Sequence, residues 1–392
     1  MIAGVPCETA PGERRVALTP ESAAAIVDHG TVVAIESGAG AAAGYGDDEF
    51  RQRSVEIVSD RKTLFERADI IIQVRTAAAN TERGDADVAL LGPKHVVIGL
   101  ADPLDGRPQL QKIAGTGAAL FAMELMPRIT RAQGMDALSS MATIAGYKAV
   151  IQSAMALPRM FPLLMTAAGT VAPARVLVIG AGVAGLQAIA TAKRLGGIVL
   201  AYDVRPAVKE QVESLSAQFV DLGLDTADSE DAGGYAKAQD VDFYDRQQQA
   251  LAEVVADCDV VVSTAAIPGR AAPILITADA VKGMKPGSVI FDLAAERGGN
   301  CALSKPGETV DVDGVSIQAM LNVPSTVPYH ASQMYGQNMS AFLRHLLRND
   351  GQLQLDEDDE ITAETLIAKG GKIVNCRVAE VIGQRGDTSR KH

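Results

Sequence analysis

Tryptophan is absent from this 392-residue chain, and all aromatic residues together reach only 4%. A core without large rings must be filled by small and branched aliphatic side chains, which suits tightly packed layers of strands and helices. Cysteine is scarce too. Cys7, Cys258, Cys301 and Cys376 lie far apart without CxxC spacing, which argues for reduced thiols and against disulfides or a structural metal. The five histidines have no cysteine or carboxylate at ligand spacing, so no metal site is expected. Basic residues are too few for a phosphate-binding surface: 36 Lys and Arg stand against 48 Asp and Glu, a net charge of −12, and nucleic acid is not an expected partner. No charge-free apolar window of about 18 residues occurs. The nearest candidate, 149–174, is broken by Pro158, Arg159, Pro162 and Pro173. The start, Met1-Ile2-Ala3-Gly4-Val5-Pro6, lacks the basic opening and apolar core of a signal peptide, so a cytoplasmic chain without a span of its own is expected.

What remains is a globular balance, 47% hydrophobic and 21% charged, in a chain long enough for two cores. Short apolar runs alternate with helical patterns, the rhythm of parallel βα units. Strands are expected near 2–5, 32–35, 70–74, 95–100 and 118–123. Thr19-Pro20-Glu21 reads as a capped helix start and Gly30 as its stop. A small-residue helical stretch from about 135 to 160 reads as a bridge, ended by Pro158 and Pro162. A second set of buried strands is expected at 176–179, 198–202, 219–222, 260–264 and 289–292. Residues 226–249 are polar and interrupt the rhythm, and Gly233-Gly234-Tyr235 within them suggests a hinged lid. The acidic run 356–360 reads as a solvated turn and 386–392 as a frayed tail.

Val176-Leu177-Val178-Ile179 runs into Gly180-Ala181-Gly182-Val183-Ala184-Gly185, a strand entering a Gly-x-Gly-x-x-Gly turn that opens a helix. Gly180 permits the tight turn, Gly182 lets backbone approach a pyrophosphate, and Gly185 allows close helix–strand packing. Amide N–H groups at the helix start would face the phosphates. Asp203 ends the next strand eighteen residues beyond Gly185, where a carboxylate accepts ribose hydroxyls and repels a 2′-phosphate. NAD is therefore favoured over NADP, although Arg205 two residues on complicates the preference.

Glu124-Leu125-Met126-Pro127-Arg128-Ile129-Thr130-Arg131-Ala132-Gln133-Gly134-Met135-Asp136-Ala137-Leu138-Ser139 is unusually polar for a connection leaving a buried strand. Arg128, Gln133, Asp136 and Ser139 bring a cation, an amide, a carboxylate and a hydroxyl, a set suited to a nicotinamide carboxamide and its ribose. From composition alone, a capped helix start with solvated charges explains them slightly better.

This stretch resembles the Arg-Gln-Asp loop of proton-translocating NAD(P) transhydrogenases. Met165-Thr166-Ala167-Ala168-Gly169-Thr170-Val171, the glycine turn through Lys193-Arg194-Leu195-Gly196, Ala232-Gly233-Gly234-Tyr235-Ala236-Lys237 and residues 286–300 are similar to the same family, and the resemblance covers nearly the whole chain. It implies an α/β fold of two Rossmann-like domains with parallel sheets and a cleft between them: residues 1–135 completed by about 325–392, a bridging helix at 136–165, and an NAD(H)-binding domain at 166–324. Gly180, Gly182, Val183, Gly185, Asp203, Val204 and Arg205 would hold the adenosine and pyrophosphate end, with Thr264 and Ala265 lining the dinucleotide site. Gly234 and Tyr235 would close over bound NAD(H). Arg128, Asp136 and Ser139 would hold the nicotinamide half, and Gln133 would reach toward NADP(H) on a partner subunit. The implied assembly is a homodimer with an NADP-binding beta subunit and a membrane proton-channel subunit, attached peripherally to the inner face of the cell membrane. The implied reaction is direct, Si/Re-specific hydride transfer.

Alanine dehydrogenase shares the opening Glu13-Arg14-Arg15-Val16-Ala17-Leu18-Thr19-Pro20 and is the alternative. Amino-acid oxidation must manage a proton, so it requires acid–base groups. In that family Arg15 would bind the substrate carboxylate beside a Lys and a His. Here Ile98-Gly99-Leu100 stands where the His is expected, and Gln73 and Arg75 where lysines are expected. Glu296-Arg297 replaces an Asp expected before Gly298-Gly299. Ring-to-ring hydride transfer needs no proton at either carbon, only positioning and exclusion of water. Arg15 then survives as a structural or ion-pairing residue.

Overall fold

A computed structural model describes residues 1–224, 241–266, 269–347 and 352–388. The chain divides into two compact units, Met1–Met141 with Ser325–His392, and Ala142–Pro324.

The sheet of the first unit is doubly wound. Its six parallel strands lie in the order Ala119–Ala122, Val96–Leu100, Ile70–Arg75, Ile2–Val5, Val32–Glu36, Glu56–Val58. Chain direction across the sheet reverses between Ile2–Val5 and Ile70–Arg75, the switch point at which α/β sheets open a crevice. Runs such as Ile70-Ile71-Ile72 are buried on both faces, which is why they read as continuous apolar stretches rather than alternating ones. The C-terminal segment returns here: Leu366–Lys369 pairs antiparallel with Ala119–Ala122, and Ile367, Ala368 and Val378 join the core around Leu110 and Leu120. The first helix, Pro20–Val27, begins as expected. Thr19 accepts the Ser22 amide, Ser22 returns a bond to the Thr19 backbone, and Gly30 adopts φ +83° beyond its end.

The second unit repeats the winding. Gln218–Phe219, Ile198–Tyr202, Arg175–Ile179, Val260–Ser263, Val289–Asp292 and Val315–Gln318 run parallel in that order, and Thr309–Val312 closes the edge antiparallel. Its switch point falls between Arg175–Ile179 and Val260–Ser263, which places the ends of these two strands side by side.

Four readings need correction. The bridging helix is Ala137–Ala156, not 136–165: Leu157 precedes Pro158 and is disfavoured in α geometry, and the chain continues as an exposed hairpin of Leu164–Thr166 and Gly169–Val171. Residues 241–249 belong to a helix, Val241–Ala256, in which Asp242, Asp245, Arg246 and Gln249 are exposed while Phe243, Gln247 and Leu251 are buried at helical spacing. The strand expected at 219–222 is the two-residue edge Gln218–Phe219. Residues 386–388 end a helix, Cys376–Thr388. Among the described residues no helix is long and apolar enough to cross a membrane.

Candidate functional site

The glycine turn sits at the switch point of the second unit, and each glycine there has a distinct steric reason. Gly180 has φ +93°, and a Cβ on it would lie 2.6 Å from Thr264 Oγ1. A Cβ on Gly185 would fall 1.8 Å from the Gly180 carbonyl oxygen, so only glycine lets the helix Val183–Arg194 pack this close to its strand. Gly182 differs. Nothing lies within 4 Å of a Cβ placed there, so packing does not require glycine. The space is what a pyrophosphate needs beside a bare backbone and a helix N-terminus. Val183, the first helical residue, is 40% exposed at that mouth.

The turn is fastened on both sides. Thr264 donates its hydroxyl to the Gly180 carbonyl at 3.0 Å, and Asp203 accepts the Ala181 amide at 2.7 Å. Asp203 is 8% exposed, and its remaining capacity is taken by Arg205: Oδ1 accepts from the Arg205 amide and Nε at 2.9 Å, and Oδ2 from Nη2 at 2.8 Å. With four bonds in hand the carboxylate accepts a ribose diol only by exchanging Arg205 for it. Val204 lies between the two, partly buried. These features fit a dinucleotide: an open cradle at Gly182, a helix start, and a carboxylate at the neighbouring strand tip.

Two residues outside the sequence-derived set hold the other wall. Asn300 donates Nδ2 to the Ala265 carbonyl at 2.8 Å and accepts the Ala265 amide at 3.0 Å. Asp292, fully buried, accepts five bonds, from Ser263 Oγ, Ser304 Oγ and the amides of Ala294, Asn300 and Cys301. The signal available was a single carboxylate closing the apolar strand Val289-Ile290-Phe291-Asp292 at its C-terminal tip. Gly234 and Tyr235 lie outside the described residues.

The polar loop belongs to the first unit. It forms a short 3₁₀ turn, Thr130–Met135, seated on the buried Ala132. Asp136 accepts the Ser139 amide at 2.9 Å on Oδ1 and the Ser139 hydroxyl at 2.6 Å on Oδ2, capping the helix Ala137–Ala156. The cap thus accounts for the conformation of both side chains, while Arg128 and Gln133 are exposed. Just upstream, Glu124 accepts the amides of Ala101 and Asp102 at 2.8 Å; burial, and then Asp102, push its carboxyl up to about 7.

The crevice of the first unit is filled by the chain itself. Arg15, 2% exposed, forms a two-point pair with the buried Glu13 side chain at 2.7 and 2.6 Å, and Arg75 approaches the same carboxylate at 3.5 Å. Gln73 donates to Asp87 at 3.0 Å, and Tyr335 donates to the Gln73 carbonyl at 2.9 Å. A Cβ on Gly99 would lie 2.4 Å from the Gln73 carbonyl oxygen, so that position has no room for a larger side chain.

Comparison with known proteins decides the family. The family models "Alanine dehydrogenase/PNT, N-terminal domain" and "Alanine dehydrogenase/PNT, C-terminal domain" match residues 4–145 and 149–376. This chain belongs to the alanine dehydrogenase/PNT family. Relatives within it include transhydrogenase subunits. The chain is 45% identical over 375 residues to an NAD(P) transhydrogenase subunit alpha component of Rhodospirillum rubrum, covering 95% of this chain and 97% of that one. The transhydrogenase structure from Sinorhizobium meliloti superposes with a TM-score of 0.84 at 41% identity, covering 95% of this chain and 100% of that one. Alanine dehydrogenase of Halomonas elongata is 30% identical over 387 residues, covering 97% of this chain and 96% of that one. Membership carries a Rossmann-like, NAD-binding oxidoreductase role.

Proposed function

We propose that the chain is the NAD(H)-binding catalytic component of a proton-translocating transhydrogenase, and that hydride passes between its NAD(H) and NADP(H) held on a partner subunit. The observation that carries the reading is the crevice of the first unit. Arg15 is engaged by Glu13, and a Cβ at Gly99 would meet the Gln73 carbonyl, which leaves no room there for the histidine that an alanine dehydrogenase is expected to carry at that position. The glycine turn keeps every feature that dinucleotide binding needs.

Bound nicotinamide supplies the hydride-donating or hydride-accepting carbon. Gly180, Gly182, Val183 and Gly185 hold the pyrophosphate end, and Asp203, Val204 and Arg205 the adenosine ribose. Thr264 and Ala265 shape the strand tip beside them, and Gly234 and Tyr235 cover the bound coenzyme. Arg128, Asp136 and Ser139 orient the nicotinamide half, with the Asp136–Ser139 cap pre-setting both side chains. Gln133, exposed on its turn, meets the partner's NADP(H). An NADP-binding beta subunit and a membrane proton-channel subunit complete the assembly, which places this chain peripherally on the inner membrane face. That the Rhodospirillum rubrum relative is named as a component of a subunit alpha is consistent with a larger enzyme. A homodimer is supported by the exposed hairpin, where Met165 is 78% and Val171 41% exposed.

Mixing the full chain with an NADP-binding partner, NADH and NADP⁺ should yield NADPH, and alanine with NAD⁺ should yield no pyruvate. Partner-dependent transfer that survives Gln133→Ala undiminished would remove that residue from the mechanism. Alanine oxidation at enzymatic rates would replace the reading with the dehydrogenase one.

A further inference from the structure

The 3₁₀ turn Thr130–Met135 is a short element, entered through Ala132 N to Ile129 O and left through a long Asp136 N to Gln133 O bond of 3.3 Å. Bonds within a 3₁₀ turn are poorer in geometry than α-helical ones, and they hold its shape rather than its place on the domain. Two contacts from the C-terminal segment fix that place. Asn338, in the helix Pro328–Leu346 and 6% exposed, donates Nδ2 to the Gly134 carbonyl at 2.9 Å. Two turns further along that helix, His345 Nε2 lies 2.9 Å from Asp359 Oδ1, and Asp359 Oδ2 pairs with Arg131 Nη1 at 2.6 Å. Asp359 is itself fixed, because Oδ1 caps the helix Glu360–Thr365 by accepting the Ile361 and Thr362 amides. The acidic run read as a solvated turn therefore contains a fastening point.

We propose that Asn338 and the chain Arg131–Asp359–His345 are positioning residues that set where the turn presents Gln133. This rests on the function proposed above. The Arg131 side chain is 51% exposed, so its ion pair with the more enclosed Asp359, 19% exposed, contributes little to folding. Displacing a reacting group by about 1 Å, in contrast, costs on the order of 100-fold in rate. The two roles therefore separate experimentally: a clamp built for positioning loses rate without losing stability.

The test uses the full chain carrying Arg131→Met, Asp359→Asn, which keeps a capping oxygen, or Asn338→Leu. Amide hydrogen exchange of residues 128–136 should accelerate at least tenfold. Partner-dependent kcat should fall tenfold or more while the KM for NADH holds, and in Arg131→Met the melting midpoint should hold as well. Arg131→Lys should restore part of the rate. Should Asn338→Leu fail to fold, the variants at Arg131 and Asp359 carry the test. Unchanged exchange in Arg131→Met and Asp359→Asn overturns the clamp, as does a melting midpoint that falls in step with the rate in Arg131→Met. A wild-type chain that transfers nothing to its partner overturns the functional reading, and the exchange measurement still decides the clamp.

Discussion

Asp203 accepts the backbone amide of Ala181 at 2.7 Å, so the acid at one strand tip is fastened to the glycine turn at the tip of its neighbour. The same carboxylate holds the Arg205 fork, which neutralises the charge that would repel a 2′-phosphate. Asp203→Asn keeps an acceptor for Ala181 but weakens the hold on Arg205. The preference for NADH over NADPH should shrink at least tenfold, equivalent to about 1.4 kcal/mol. Fluorescence titration with both coenzymes measures it, and an unchanged ratio would assign coenzyme choice elsewhere.

Gly182 and Gly185 make a matched pair. Gly182→Ala adds a methyl to open space, so the melting midpoint should hold while NADH affinity drops about tenfold or more. Gly185→Ala drives a methyl into the Gly180 carbonyl and should cost about 3 kcal/mol or more of stability along with binding. Thermal melts and NADH titrations of the two variants distinguish the roles.

Asp292→Ala should be among the most destabilising changes in the second unit. It strands five donors, four of them buried, among them the backbone amide of Asn300, whose side chain helps place Ala265. Each unsatisfied group costs roughly 1–3 kcal/mol. Denaturant melts should show the loss, and weaker NADH binding should accompany it.

Two carboxyls make the first unit sensitive to alkali. Burial, then Glu13, push Glu8 up to about 8, and Glu124 rises to about 7. Each is protonated more readily folded than unfolded, so between about pH 4.5 and 8 the native state binds the extra protons and stability falls as pH rises. Glu8→Gln keeps an acceptor toward the Val74 amide and has no charge to bury. Its melting midpoint should exceed wild type by on the order of 3 °C at pH 8.5 and match it near pH 4.5. Parallel curves for the two proteins would exclude Glu8 as the cause.

The strands and the glycine turn were legible because steric rules act locally: buried parallel strands read as Val/Ile runs, and a left-handed turn demands glycine. The late pairings were not. Thr309–Val312 with Val315–Gln318, and Leu366–Lys369 on the edge of the first sheet, are short, and the partner of the latter lies far away in the chain. The helix Val241–Ala256 was hidden by its polarity, since one buried stripe sits among Asp242, Asp245, Arg246 and Gln248. In the site, single side chains with recognisable neighbours were found, as Asp203 was. Asn300 and Asn338 act by bonding backbone far from their own local segment, which no local pattern encodes.

Transfer of label from NADH deuterated at the nicotinamide C4 tests the central claim most directly. With the NADP-binding partner present, deuterium from one face of the ring should arrive in NADPH undiluted by solvent hydrogen. Loss of the label to water during turnover, or its appearance in an amino or hydroxy acid instead, would contradict direct transfer between the two rings.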